Sequence, residues 1–164
     1  MTALAGRSVV LVTGMSGTGK STVLAELDRR GHRVVDTDDP GWIVEVETPE
    51  GMEPMWDLDR IAALLEGHRS GWLFVAGCVA NQRVLYNRFD AVVLLSAPVD
   101  VLLARVVDRA NPFGSRPEER AKIARDLAEF EPLLRAGAGH EISTTVPVTE
   151  VVATLERIAA AAEP

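Results

Sequence analysis

Cysteine is nearly absent from this chain. Cys78 is the single one in 164 residues, so no internal disulfide can form and packing alone must hold the fold; this suits a reducing compartment, and a cytoplasmic location is the expectation. Histidine is as sparse: His32, His68 and His140 are scattered without the spacing of a zinc site. Positive charge is in the minority, 17 Lys and Arg against 24 Asp and Glu for a net −7, which argues against nucleic acid as a partner. No apolar run approaches the roughly 18 residues of a membrane span. The opening residues, Met1 to Arg7, lack the charged start, apolar middle and cleavage site of a secretory leader. No internal repeat is visible. The length fits one domain over residues 1–164, with a monomer as the default.

What is present is a phosphate cradle. Gly14-Met15-Ser16-Gly17-Thr18-Gly19-Lys20-Ser21 has the G-x-x-x-x-G-K-[ST] spacing of a P-loop, between the apolar run Ser8–Thr13 and an amphipathic segment Thr22–Arg30. Gly14, Gly17 and Gly19 let the backbone turn through positive φ and come close to an oxyanion. Successive N–H groups then face inward, and the positive end of the following helix adds to them. Lys20 supplies a point charge for β- and γ-phosphates, and the Ser21 hydroxyl is placed to ligate Mg²⁺. Thr22 caps or packs the helix, its hydroxyl within reach of an α-phosphate.

Around that loop, apolar runs alternate with helical periods. Strands are expected at Val9–Thr13, His32–Asp36, Trp72–Ala76, Phe89–Leu95 and His140–Ser143. Helices are expected at Thr22–Arg30, Asp57–Arg69, Asn81–Arg88, Val99–Ala110, Glu118–Arg135 and Thr149–Ala162. Such alternation predicts an α/β fold, a parallel sheet with right-handed crossovers and helices on both faces. Residues 40–57 have no clear period and read as an irregular insert with room for a short hairpin.

In an open parallel sheet, ligands gather at the carboxyl ends of the strands. The cluster Asp36-Thr37-Asp38-Asp39 lies one strand-end away from the loop. One carboxylate there can complete an Mg²⁺ shell and another can accept the proton of an attacking hydroxyl; Asp39, before Pro40, shapes the turn. The third strand, Trp72–Ala76, carries no acid, which weighs against a motor-type ATPase. Gly77 reads as a place where a ligand approaches the backbone, Cys78 as a small buried hydrophobe, and Asn81, Gln82 and Arg83 either contact a polar substrate or simply start a helix. Arg105 and Arg109 share a helix face, and with Arg116, and less so Arg120 and Arg125, they concentrate positive charge beside the loop Asn111–Pro117. Arginines on a closing flap can stabilise transferring phosphoryl oxygens and exclude water.

Assembled, these parts resemble the nucleoside-monophosphate kinase-like branch of the P-loop fold, with a layout similar to shikimate and gluconate kinases. The resemblance implies a three-layer fold with a five-stranded parallel sheet in the order 2-3-1-4-5, a lid at about 111–125 and an acceptor-binding insert at about 40–57. Asp36-Thr37-Asp38 matches the Asp-x-Asp pair of shikimate kinases, whose first Asp serves Mg²⁺ and whose second contacts the acceptor hydroxyl. That assigns Ser21 and Asp36 to the metal, and Lys20, Asp38, Arg109 and Arg116 to catalysis. ATP follows by resemblance, held by Gly14 to Thr22, by Arg105 and Arg109, and by Thr145, Val146 and Pro147 against the adenine. The Gly-Gly-Gly run of shikimate kinases after the third strand is replaced by Gly77-Cys78-Val79-Ala80.

The reaction implied is phosphoryl transfer to a hydroxyl on a small molecule. The insert is acidic, holds Trp42, Met52, Met55 and Trp56, and has no arginine before Arg60. It therefore suits an uncharged or cationic acceptor with an apolar face, such as a nucleoside, a sugar, an aminoglycoside or another antibiotic-like alcohol. Two rival classes fit the motif: a slow nucleoside-triphosphate hydrolase, and a nucleotide-binding switch that acts on a protein partner.

Overall fold

The architecture comes from a computed structural model that describes residues 6–108 and 116–164. β1 (Ser8–Thr13) leads through the P-loop into α1 (Lys20–Arg29), then β2 (Arg33–Asp36), the hairpin β3 (Ile43–Thr48) and β4 (Gly51–Trp56), and α2 (Leu58–Gly67). β5 (Trp72–Ala76), a 3₁₀ segment (Gln82–Arg88), β6 (Ala91–Ser96) and α3 (Val99–Asp108) follow. α4 (Pro117–Gly137), β7 (His140–Ser143) and α5 (Val148–Ala161) complete the order.

The main sheet runs β2-β5-β1-β6-β7, every pairing parallel. With the hairpin strands set aside, this is the expected 2-3-1-4-5 order. β1 and β6 are buried at every position, as continuous apolar runs in a sheet covered on both faces should be. The pleat sends Val10 and Val12 into one core with Val23, Leu27, Val152 and Leu155 of α1 and α5. It sends Val9 and Leu11 into the other, with Trp56, Ile61 and Leu65. No helix among the described residues is long and apolar enough to cross a membrane.

The insert is more regular than expected. Residues 43–56 form an antiparallel two-stranded hairpin with Ile43 opposite Trp56 and Thr48 opposite Gly51. Its period-2 signal is hidden because most of both strands is solvent-exposed, leaving no buried face to pattern. Pro54 is tolerated because a two-stranded ribbon leaves each strand an unpaired edge. Asp57 ends the hairpin and caps α2, its side chain accepting from Arg60 N. Of the expected lid, residues 111–115 lie outside the described residues and 117–125 form the first turns of α4.

Candidate nucleotide and acceptor site

β1 delivers the chain at Thr13, at the carboxyl end of the sheet, and α1 departs at Lys20. Gly14 lies so close to the end of β6 that a Cβ would stand 2.6 Å from Leu95 O and 2.8 Å from Thr18 Oγ1. Gly19 adopts φ +100° as the N-cap of α1. No side chain caps that helix and no carboxylate sits in its first turn, so its leading N–H groups and positive end are left for an anion. Thr18 is fully buried and closes the loop, its Oγ1 donating to Met15 O at 2.8 Å; Ser16 is exposed and Met15 half-buried. Lys20 Nζ donates to the carbonyls of Gly14 and Met15, which holds the ammonium over the loop that it would serve.

The second strand brings its acids to the same place. Ser21 Oγ lies 3.4 Å from Asp36 Oδ2, so hydroxyl and carboxylate face one another. Asp36 Oδ1 accepts from Asp38 N at 3.0 Å, an Asx turn that fixes the next acid. The Asp38 carboxylate is exposed and has no partner among the described residues. Thr37, between them, points inward, donating to Ala76 O and accepting from Trp56 Nε1. No group of three or more Asp, Glu, His or Cys able to hold a metal occurs among the described residues. Ser21 and Asp36 fit Mg²⁺ in the manner of phosphoryl-transfer sites, where one or two protein oxygens suffice and substrate phosphates and water supply the rest.

On one side of the loop opens a cleft of about 400 Å³ lined by Gly17, Thr18, Thr22, Arg105, Thr144 and Val146. Arg105 Nη1 donates to Gly17 O and Thr144 Oγ1, both at 3.0 Å, and Nη2 to Thr144 O at 2.7 Å. The guanidinium thus ties the P-loop to the β7–α5 connection. Val146 faces this cleft, with Thr144 and Val148 where Thr145 and Pro147 were expected. The Thr145 hydroxyl pairs with Ser143 Oγ, and Pro147 is the N-cap of α5. Thr144, the first residue of the loop expected against the adenine, lines the cleft from the end of β7. Arg109 lies outside the described residues. Arg116 is exposed, 3.8 Å from Glu119, a surface pair of little weight.

On the other side, past Met15, lies a cleft of about 440 Å³. The hairpin (Glu53, Pro54), the loop after β5 (Cys78, Val79), Tyr86 and α4 (Phe130, Leu133, Leu134) form its walls. Tyr86 and α4 were missed, although Phe130, Leu133 and Leu134 stand at i, i+3 and i+4 in an otherwise charged helix.

Three expectations change on this side, and for Asn81 and Gln82 one of two open readings holds. Trp56 is core, 1% exposed, and does not face an acceptor. Gly77 makes room for that core rather than for a ligand: a Cβ there would sit 2.3 Å from Thr37 Oγ1 and 3.1 Å from Trp56 Nε1. Cys78 is exposed on the cleft, not buried. Asn81 and Gln82 are structural. Asn81 exchanges two hydrogen bonds with the Trp56 backbone. Gln82, 1% exposed, donates to Thr13 Oγ1 and Tyr86 Oη and accepts from Val79 N. Arg83 remains at the cleft, donating to Leu133 O.

Behind the site, Arg135 bridges Glu131 at 2.9 Å and Glu141 at 2.7 Å. Its hydrogen bond, and a further one from Ser96 Oγ, hold the Glu141 carboxyl below the ordinary range against the opposing effect of burial.

The strand–loop–helix and the parallel sheet above define a P-loop nucleotide-binding domain of the α/β class. The chain belongs to the family described as "AAA domain", which matches residues 10–125. Among curated relatives, a nucleotide-binding protein of Mycolicibacterium smegmatis is 28% identical over 93% of this chain and 53% of its own length. Another, from Acidothermus cellulolyticus, is 30% identical over 80% of this chain and 42% of its own. The chain therefore spans about half the length of the curated relatives it matches. Among solved structures, a shikimate kinase from Acinetobacter baumannii in complex with shikimate superposes with TM-score 0.64 at 20% identity, covering 93% of this chain and 92% of that one. An unliganded sugar kinase from Janibacter sp. HTCC2649 gives TM-score 0.56 at 22% identity, covering 96% and 99%. These likenesses show the fold.

Proposed function

We propose that this domain transfers the γ-phosphoryl group of ATP, in the presence of Mg²⁺, to a hydroxyl of a small molecule. The observation that carries the reading is Ser21 against Asp36 beside the P-loop, with a small-molecule-sized cleft that shares Met15 with the loop; Asp38, two residues on, is exposed and has no side-chain partner among the described residues. A pure hydrolase needs no such second cleft. The solved kinases of the same fold support the reading.

In this account Lys20 leaves the loop carbonyls to neutralise the phosphate oxygens, and the leading N–H groups of α1 receive them. Ser21 and Asp36 would hold Mg²⁺, which supplies charge neutralisation at the β- and γ-phosphates. The acceptor oxygen attacks the γ-phosphorus, the new O–P bond forms as the bond to the β-phosphate oxygen breaks, and ADP leaves. Asp38 takes the hydroxyl proton. Val146 and Thr144 flank the base, and Arg105 fixes the wall they belong to. The chemistry is mostly positioning and electrostatics.

The test is consumption of ATP with Mg²⁺ across a panel of alcohols. One class of acceptor should raise the rate above the acceptor-free rate, and Lys20→Ala should abolish the increase. A rate that no acceptor changes would move the reading to a slow hydrolase if appreciable. A rate near zero would move it to the binding switch, which the relatives' name, nucleotide-binding protein, also fits.

A further inference from the structure

The chemistry of the second cleft narrows the acceptor, an inference that rests on the phosphoryl-transfer reading above. Its volume, about 440 Å³, falls in the roughly 300–1,000 Å³ range of small-molecule sites. Apolar side chains make up the larger part of its walls. Met15, Pro54 and Val79 face Phe130, Leu133 and Leu134 across it. Phe130 and Leu133 are 43% and 56% exposed, large apolar side chains turned to solvent on a helix rich in charged residues. Solvated apolar surface concentrated in a concave site marks a place for an apolar partner.

The polar groups of the cleft are few and mostly engaged. The Gln82 amide spends both of its ends on Thr13, Tyr86 and Val79, so it cannot read a ligand. The Tyr86 hydroxyl accepts from Gln82 and retains its own proton to donate. Among the described residues, Arg83 and Glu53 are the ionised side chains on the lining, one of each sign. Arg83 already donates to Leu133 O. Among the described residues, a carboxylate or phosphate acceptor buried here would meet a single, partly committed guanidinium, and an aminoglycoside with several ammonium groups would meet one carboxylate. Unpaired charge in such surroundings is strongly disfavoured. A sugar would leave most of its hydroxyls against side chains that cannot hydrogen-bond.

We infer that the acceptor is an uncharged alcohol with an aromatic or alicyclic body, its ring packed between Val79 and Pro54 on one side and Phe130 and Leu133 on the other. Its reacting hydroxyl is turned past Met15 toward the P-loop, and Tyr86 holds one further polar group. This excludes the sugars and aminoglycosides that the insert's composition alone left open.

The test compares kcat/KM, with phosphorylated product identified by mass, for uncharged ring-bearing alcohols against shikimate, gluconate, a nucleoside monophosphate and an aminoglycoside. Ring-bearing alcohols should exceed the charged and polyhydroxylated acceptors by about 100-fold, the scale of discrimination that one or two apolar contacts supply. Leu133→Asp, at an exposed helical position that leaves the fold intact, should raise the KM for the alcohol at least tenfold while leaving the KM for ATP unchanged; Leu133→Met should restore it. Efficient phosphorylation of shikimate, gluconate, the monophosphate or the aminoglycoside in preference to the ring-bearing alcohols would overturn the inference and leave phosphoryl transfer standing. So would a KM for the alcohol indifferent to Leu133→Asp. Release of phosphate with no acceptor phosphorylated would overturn the transfer reading itself.

Discussion

Between Thr13 and Lys20 consecutive residues build the phosphate side of the site, with backbone N–H groups and one helix end as its working parts. The side proposed for the acceptor gathers Met15, Glu53 and Pro54 of β4, the loop after β5, Tyr86 and the second half of α4, segments more than a hundred residues apart in sequence at the extremes. On the first side polar groups are left open for a ligand. On the second, Asn81 and Gln82 spend their polar atoms on the protein, and apolar side chains are left open instead. On the proposed reading, one fold offers a charged, locally encoded half for the nucleotide and an apolar, long-range half for the acceptor.

The largest effect that separates the halves is expected at Lys20. Lys20→Ala should lower kcat for transfer by about 10²–10³-fold, the worth of one preorganised charge on a developing oxyanion. Far-ultraviolet spectra and melting temperature should be little changed, which initial rates and thermal melts will check. A smaller, opposite pattern is expected at Gly77. Gly77→Ala pushes a methyl onto Thr37 Oγ1 and Trp56 Nε1, and overpacking of this kind costs roughly 1–3 kcal/mol. Denaturant unfolding should show that loss while nucleotide titration shows P-loop affinity retained. If Gly77→Ala abolished nucleotide binding at full stability, the two sides would not be separable in this way.

Arg105 sharpens the comparison from the nucleotide side. Arg105→Lys keeps the charge but loses the fork that spans Gly17 O and Thr144 O. Nucleotide affinity should fall roughly tenfold, about 1.4 kcal/mol, with KM for the acceptor unmoved in a two-substrate kinetic analysis. The smallest effect concerns acid. Glu141 is held below its ordinary value near 4.5 by the Arg135 hydrogen bond. Burial works to raise Glu156, and its bonds to His32 and Arg30 overcome that and hold it low. Carboxyls depressed in the folded state contribute stability that is present above the unfolded value and lost as pH falls through the folded one. Melting temperature should therefore decline as pH drops below about 4.5, more shallowly in Glu141→Gln.

How much of this was legible follows the same division. The P-loop could be read because it depends on fixed spacing along one strand–loop–helix unit. The sheet order followed from the resemblance, and the strand runs from burial on both faces. The hairpin could be read only as a possibility within an irregular insert, because its strands are mostly exposed up to Trp56. Trp56 and Gly77 were misjudged for one reason: each takes its meaning from Thr37, a contact made only after β2 and β5 pair. The α4 wall was hidden by the charge that dominates that helix, although the spacing of Phe130, Leu133 and Leu134 was there to be seen.

The central claim is that the phosphoryl group passes to an alcohol and not to water. ³¹P nuclear magnetic resonance of a turnover mixture containing the protein, Mg²⁺, ATP and an uncharged ring-bearing alcohol tests it most directly. The account predicts a phosphomonoester signal growing in step with ADP, absent with Lys20→Ala. Growth of inorganic phosphate alone, at the same rate with and without the alcohol, would contradict it.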